Sequence, residues 1–319
     1  MLQHHPALRR SQVVYSPRRN NCPKFSAPVR CYRAKVCSIL VDVSANLKKH
    51  LSTLSKRGPH RVLVGDLSYA GLNGKVYAPA EGNALPAVAF GHDWMKKVKS
   101  YHATLRHLAS WGIVAVAPDT ETGVHPNHRN LAADMETALQ IAAGVKLGQG
   151  NISVGPGKLG MVGHGMGGGA AVLASVDNDK VRAVAAIYPA STAPSASRAA
   201  RRLEIPGLVI GSGRSDIFSA GNPAKLAYNW AGDCSYREIA KGTQQGFSED
   251  RLTKLMLGTP AFESGPTETA RGLITGFFLH QLNNDSKYSD FSDPEAVGKN
   301  VESFIGEDLS EKAGVTRDD

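Results

Sequence analysis

The stretch Gly163-His164-Gly165-Met166-Gly167-Gly168-Gly169 decides how this chain is read. An apolar run, residues 159–162, leads into it, and a run of small residues, 170–175, leads out. That succession predicts a strand, a tight turn and a helix start, with Gly165 at the apex. Working outward, strand patterns alternate with helical ones. Residues 61–67 and 74–79 predict two strands joined by a Gly/Asn turn, an antiparallel hairpin. Further strands are predicted at 87–90, 113–117, 181–187, 207–210 and 235–240. A helix is predicted at 101–111, with Leu105 and Leu108 on one face. Another spans 130–145, where Leu131, Met135, Ala138, Leu139 and Ala142 recur at helical spacing. Segments 224–230, 247–257 and 267–282 complete the helices. The alternation implies an α/β class, a mostly parallel sheet with helices on both faces. The hairpin adds antiparallel strands at one edge.

No composition break divides residues 60 to 280, so one domain is expected over 46–283. The segment 284–319 is polar and acidic and is expected to be a frayed cover or a disordered tail. The chain has 319 residues, 42% hydrophobic and 7% aromatic, as a globular protein does. No apolar run approaches the ~20 residues of a membrane span, so no membrane partner is expected. The formal charge of +9 belongs to the first 41 residues, which hold eight Lys and Arg and no acid, leaving about +1 for the rest. A nucleic-acid partner is therefore not expected. This basic stretch, bounded at 1–45, reads as an over-extended start, as a disordered or targeting segment, or as a nucleic-acid arm. Cys22, Cys31 and Cys37 lie in it at spacings that match no common zinc pattern, and Cys234 alone lies beyond. A reducing compartment follows: cytoplasmic, or organellar if the basic stretch is a transit segment. The oligomeric state is not fixed by the sequence.

Two motifs fit the glycine run. Gly163, Gly165 and Gly168 match G-x-G-x-x-G, the dinucleotide fingerprint. Against it, the run falls after about five strands rather than at the first βα turn. The next strand ends at Tyr188-Pro189-Ala190-Ser191, without the acid that binds a ribose hydroxyl. No cofactor is therefore expected. The other motif is G-x-S-x-G, the sharp strand-to-helix elbow that exposes a nucleophilic serine. Here Gly165 stands at the nucleophile position.

Four segments together resemble the α/β-hydrolase superfamily, specifically its dienelactone-hydrolase-like branch and the cutinase and polyester-hydrolase group within it. The resemblance runs from about residue 62 to 282. The group's Gly-His-Ser-Met-Gly-Gly-Gly is similar to residues 163–169, and its strand-end Asp-Thr-x-Thr to Asp119-Thr120-Glu121-Thr122. Phe90-Gly91-His92-Asp93 resembles the loop that supplies one oxyanion-hole amide. Residues 209–216 resemble the loop carrying the triad acid, which the resemblance assigns to Asp216. The family's histidine precedes a Phe in a Gly-x-x-His context. The matching stretch is Lys241-Gly242-Thr243-Gln244-Gln245-Gly246-Phe247, with Gln245 at the histidine position, give or take one residue.

The resemblance thus implies an ester-hydrolase scaffold that has lost its serine and histidine. Glycine offers no oxygen, and glutamine cannot take a proton near neutral pH. The backbone part remains: the amides of Met166 and of His92 or Asp93 are expected to form an oxyanion hole. Such a site is expected to bind a small carbonyl or anionic ligand without Ser-His-Asp turnover. The alternative is a hydrolase of small esters or lactones acting through activated water or a relocated nucleophile. Trp94, Asp119, His125 and His164, with Tyr101, are candidate pocket residues. His164 is expected to point into the packed side of the turn, and Asp119 to cap a strand end. His125 and His128 stand three apart, but no carboxylate pairs with them, so no metal is expected.

Overall fold

The computed structural model describes residues 47–214, 221–250 and 264–315. Among the described residues nine strands form one sheet in the order β1-β2-β4-β3-β5-β6-β7-β8-β9. They are β1 (Val62–Asp66), β2 (Gly74–Pro79), β3 (Gly82–Gly91), β4 (Val114–Pro118), β5 (Ile152–His164), β6 (Val181–Ile187), β7 (Gly207–Ser212), β8 (Cys234–Ile239) and β9 (Val301–Ser303). The hairpin β1–β2 and the β2–β4 pair are antiparallel, and β3 through β8 are parallel with β4 beside β3. This mostly parallel sheet with an antiparallel edge is the α/β-hydrolase fold expected from the sequence.

The pleat sends alternate residues to two separate cores. In β3, Ala87 and Ala89 face one and Val88 and Phe90 the other. The first core is closed by α3 (His128–Gly144) through Leu131 and Met135, and by α4 (Met166–Ser175) through Ala170 and Val172. Helix α6 (Pro223–Tyr228) adds Leu226, and the short α5 (Ala196–Ala199) precedes it in the chain. The second core is closed by α2 (His102–Ser110) through Leu105 and Leu108, and by α8 (Ser264–Asn283) through Ile274, Phe277 and Phe278. Helix α1, residues 47–54, adds Leu47, Leu51 and Leu54. Each fully buried side chain of this kind contributes ~1.5–3 kcal/mol.

Two expectations fall wholly or mostly outside the described residues, and one is revised. Of the helix expected at 247–257, residues 248–250 are not helical and residues 251–257 lie outside the described part; a single turn, α7 (Gln244–Phe247), precedes them. The basic stretch at 1–45 also lies outside it. The segment after residue 283 is neither frayed nor a loose cover up to residue 315. It buries Tyr288, Phe291 and Val301, adds β9 antiparallel to β8, and ends in α9 (Gly306–Ala313). The buried guanidinium of Arg237 on β8 clamps it, donating to the carbonyls of Ala296 (2.7 Å), Asp293 (2.8 Å) and Asp290 (2.9 Å). Its polar composition concealed a few well-placed apolar anchors.

Candidate active site

Strand β5 turns into α4 at Gly165, whose backbone sits at φ +54° and ψ −118°. A non-glycine residue there stores ~1–3 kcal/mol of strain. The turn is held by its own backbone: the Gly165 N–H donates to Ile187 (3.0 Å), and its carbonyl accepts from Ala190 (2.9 Å) and Gly168 (3.1 Å). Helix α4 begins in direct backbone contact with the end of β3. A Cβ on Gly167 would lie 2.1 Å from the Gly91 carbonyl oxygen. That close approach brings the residues after Gly91 to the helix N-terminus.

The consequence is the position of Asp93. Its Oδ1 accepts the Met166 N–H (2.9 Å) and the Trp94 N–H (2.8 Å), and its Oδ2 accepts Nε2 of Gln244 (3.0 Å). The carboxylate thereby caps α4, where the helix dipole favours negative charge. It also fills the space above the apex. A Cβ built on Gly165 would stand 2.0 Å from Asp93 Oδ1.

The surrounding polar groups are matched to one another. The Tyr101 hydroxyl accepts the Asp93 N–H (3.0 Å) and lies 2.8 Å from Nδ1 of His164. Nε2 of His164 lies 2.9 Å from the Gln244 carbonyl. A carbonyl only accepts, so Nε2 carries the proton and Nδ1 receives the tyrosine hydrogen. Burial, with the Asp93 carboxylate beside it, pushes the Tyr101 hydroxyl well above its ordinary range, so it keeps that proton. Phe247 packs on the His164 ring at a centroid distance of 4.9 Å.

A family profile described as PET hydrolase-like matches residues 49–249. The chain belongs to the PET hydrolase-like family. No curated protein sequence matches it. The family match covers the elbow, the Asp93 loop and Gln244, so these features lie within the PET hydrolase-like region itself.

Several sequence expectations for this PET hydrolase-like chain are altered by the geometry. The amide of Met166 was expected to face a ligand with that of His92 or Asp93; the Asp93 N–H instead serves Tyr101, and the Asp93 side chain takes the Met166 amide. The Asp93 and Met166 N–H groups are thus both hydrogen-bonded within the protein. His92 is fully buried, its Nδ1 against the Asp93 carbonyl (2.9 Å) and its Nε2 against that of Thr120 (2.7 Å). The residue that reaches the elbow is Gln244, one position before Gln245, because the turn of α7 carries Gln244 inward and leaves Gln245 half-buried. Asp216 lies outside the described residues.

The candidate pocket residues spread apart. Trp94 is exposed, its indole N–H on the Val124 carbonyl (3.0 Å), and His125 is exposed. Asp119 Oδ1 accepts the Val98 N–H (2.9 Å), so it caps the 3-10 turn Val98–Tyr101. His128 accepts the Ala193 N–H through Nδ1 (3.0 Å). Among the described residues no group of three or more His, Cys, Asp or Glu could hold a metal. No described helix is long and apolar enough to cross a membrane. Sequence reading missed the side-chain role of Asp93. The available signal was an acid two residues past a strand-end glycine, opposite an apex that has no side chain.

Proposed function

We propose that this PET hydrolase-like protein does not hydrolyse esters through a Ser-His-Asp triad and instead has a binding role. The carrying observation is the Asp93 carboxylate seated on the Met166 N–H, over an apex that has no side chain. Acyl transfer needs a nucleophile at the apex, a base beside it and a free amide for the developing oxyanion. Gly165 offers no oxygen, Gln244 offers no base, and the amide already carries a hydrogen bond. Asp93 is a poor substitute nucleophile, since both its oxygens are engaged by donors and it is 5% exposed. A small carbonyl or anionic ligand is therefore recognised outside the elbow.

The test is a fluorophosphonate probe with a p-nitrophenyl ester assay on the full chain. The expected result is no serine labelling and turnover at the buffer rate. Labelling of any serine, or brisk turnover, establishes the alternative, an active hydrolase with a relocated nucleophile or an activated water.

A further inference from the structure

A cleft of about 440 Å³ opens beside the elbow, lined by the loop after β6 and by residues of α5 and α6. Its loop is tied to the apex, since Ala190 donates to the Gly165 carbonyl. Three cations line it, Arg198, Arg201 and Lys225, and no described lining residue is a carboxylate. Among the described residues none of the three enters an ion pair.

One of them is oriented in advance. Arg201 donates through Nε to Asn229 Oδ1 (3.2 Å), Asn229 donates to Ser197 Oγ (2.8 Å), and Ser197 donates to the Lys225 carbonyl (3.3 Å). This chain holds the guanidinium by one edge and leaves its two terminal amino groups without a described partner. That edge is a fork suited to two oxygens of one anion. Like charges around one cleft repel, and an anion relieves the repulsion. A single carboxylate would leave most of the charge unbalanced. A phosphate monoester carries ~1.5–2 negative charges at neutral pH and three acceptor oxygens. The volume lies in the ~300–1,000 Å³ range of small-molecule sites, so it admits an organic group beyond the phosphate.

We propose that this cleft binds a small organic phosphate, with the phosphate on the Arg201 fork and Arg198 and Lys225 balancing its charge. The inference stands whether or not the elbow is catalytically silent. The test is calorimetric titration of the full chain with glucose 6-phosphate, against glucose and sodium sulfate at matched ionic strength. Saturable binding of the phosphate, weaker binding of sulfate and none of glucose are expected. R201Q/K225Q should weaken phosphate binding by about tenfold or more, with the melting curve unchanged. Should that variant fail to fold, R198Q, an exposed residue, is expected to weaken binding severalfold. The proposal is overturned by absence of saturable phosphate binding at millimolar concentration, by sulfate binding equally well, or by a folded variant that binds undiminished.

Discussion

The elbow and the cleft beside it are joined by one backbone hydrogen bond, yet they handle charge in opposite ways. At the elbow the Asp93 carboxylate is buried and receives Met166, Trp94 and Gln244. Tyr101 and His164 complete the set through the Asp93 amide and the Gln244 carbonyl. A buried carboxylate stripped of such partners would cost several kcal/mol, so the fold must keep them. In the cleft, Arg198, Arg201 and Lys225 are exposed, and no described lining residue is a carboxylate that could balance them. Polar groups matched inside the protein close a site. Charge left unmatched at the surface is balanced by something from outside. Substitutions at the two places should therefore act on different quantities, stability at the elbow and ligand affinity at the cleft.

The largest effect is expected from Gly165→Ser. It adds ~1–3 kcal/mol of backbone strain. It also drives Asp93 from its donors, leaving buried groups unpaired at ~1–3 kcal/mol each. A total loss of about 3–5 kcal/mol is expected by urea denaturation, with no gain of esterase activity. Asp93→Ala alone should cost about 2–4 kcal/mol through the orphaned Met166 and Gln244 donors. Because both changes act on the same atoms, the double variant should lose at least ~1 kcal/mol less than the sum of the two. Additive losses would mean that Asp93 does not occupy the apex. The same logic changes any attempt to install a triad. A serine at 165 needs Asp93 removed and the histidine placed at 244, not 245.

A second buried imidazole sharpens the contrast from another side. His164 has partners at both ring nitrogens, whereas Nε2 of His107 on α2 has none. Burial, with Arg271 nearby, pushes His107 down to about 4. Its value in the unfolded chain is ~6.5. Between these values the unfolded state binds more protons, so stability rises with pH. The contribution is full above the unfolded value and falls away as pH drops through the window, levelling out below about 4. About 3 kcal/mol is at stake. Urea melts from neutral pH to pH ~4 should show a slope that His107→Leu reduces. An unchanged slope would assign the acid sensitivity to other groups.

The sheet was legible because its strands carry short apolar runs at regular intervals, and the elbow because seven residues with five glycines admit few conformations. Element ends were less legible. β5 extends seven residues before its predicted start at Leu159, through Gly155, Pro156 and Gly157, residues that carry no strand signal. The edge strand β9 is three residues long and owes its place to Val301 and to the Arg237 clamp, neither of which gives a periodic signal. At the site, Met166 and Asp93 both follow strand ends, and the Asp93 side chain accepts the Met166 N–H. Sequence order did not tell side chain from amide at Asp93, because that depends on the backbone contact between Gly91 and Gly167. The cleft was illegible for a similar reason. Arg198, Arg201 and Lys225 read as scattered surface charge until α5 and α6 bring them around one opening.

The smallest expected effect is the most informative about the comparison. R201Q/K225Q removes two of the three cleft cations without touching a buried ion pair. Such surface changes usually move stability by no more than ~0.5 kcal/mol. Glutamine at 201 retains an amide that can donate to Asn229, so the Asn229–Ser197 chain is expected to persist. Removing like-charge repulsion should tip the balance towards slight stabilisation, visible at low salt and screened out near physiological ionic strength, where the Debye length is ~8 Å. Urea denaturation of the wild type and R201Q/K225Q at two salt concentrations measures this directly. A loss of ~2 kcal/mol or more, independent of salt, would mean that these cations are bound into the fold as Asp93 is. The two regions would then be of one kind, and the cleft would hold no charge reserved for a ligand.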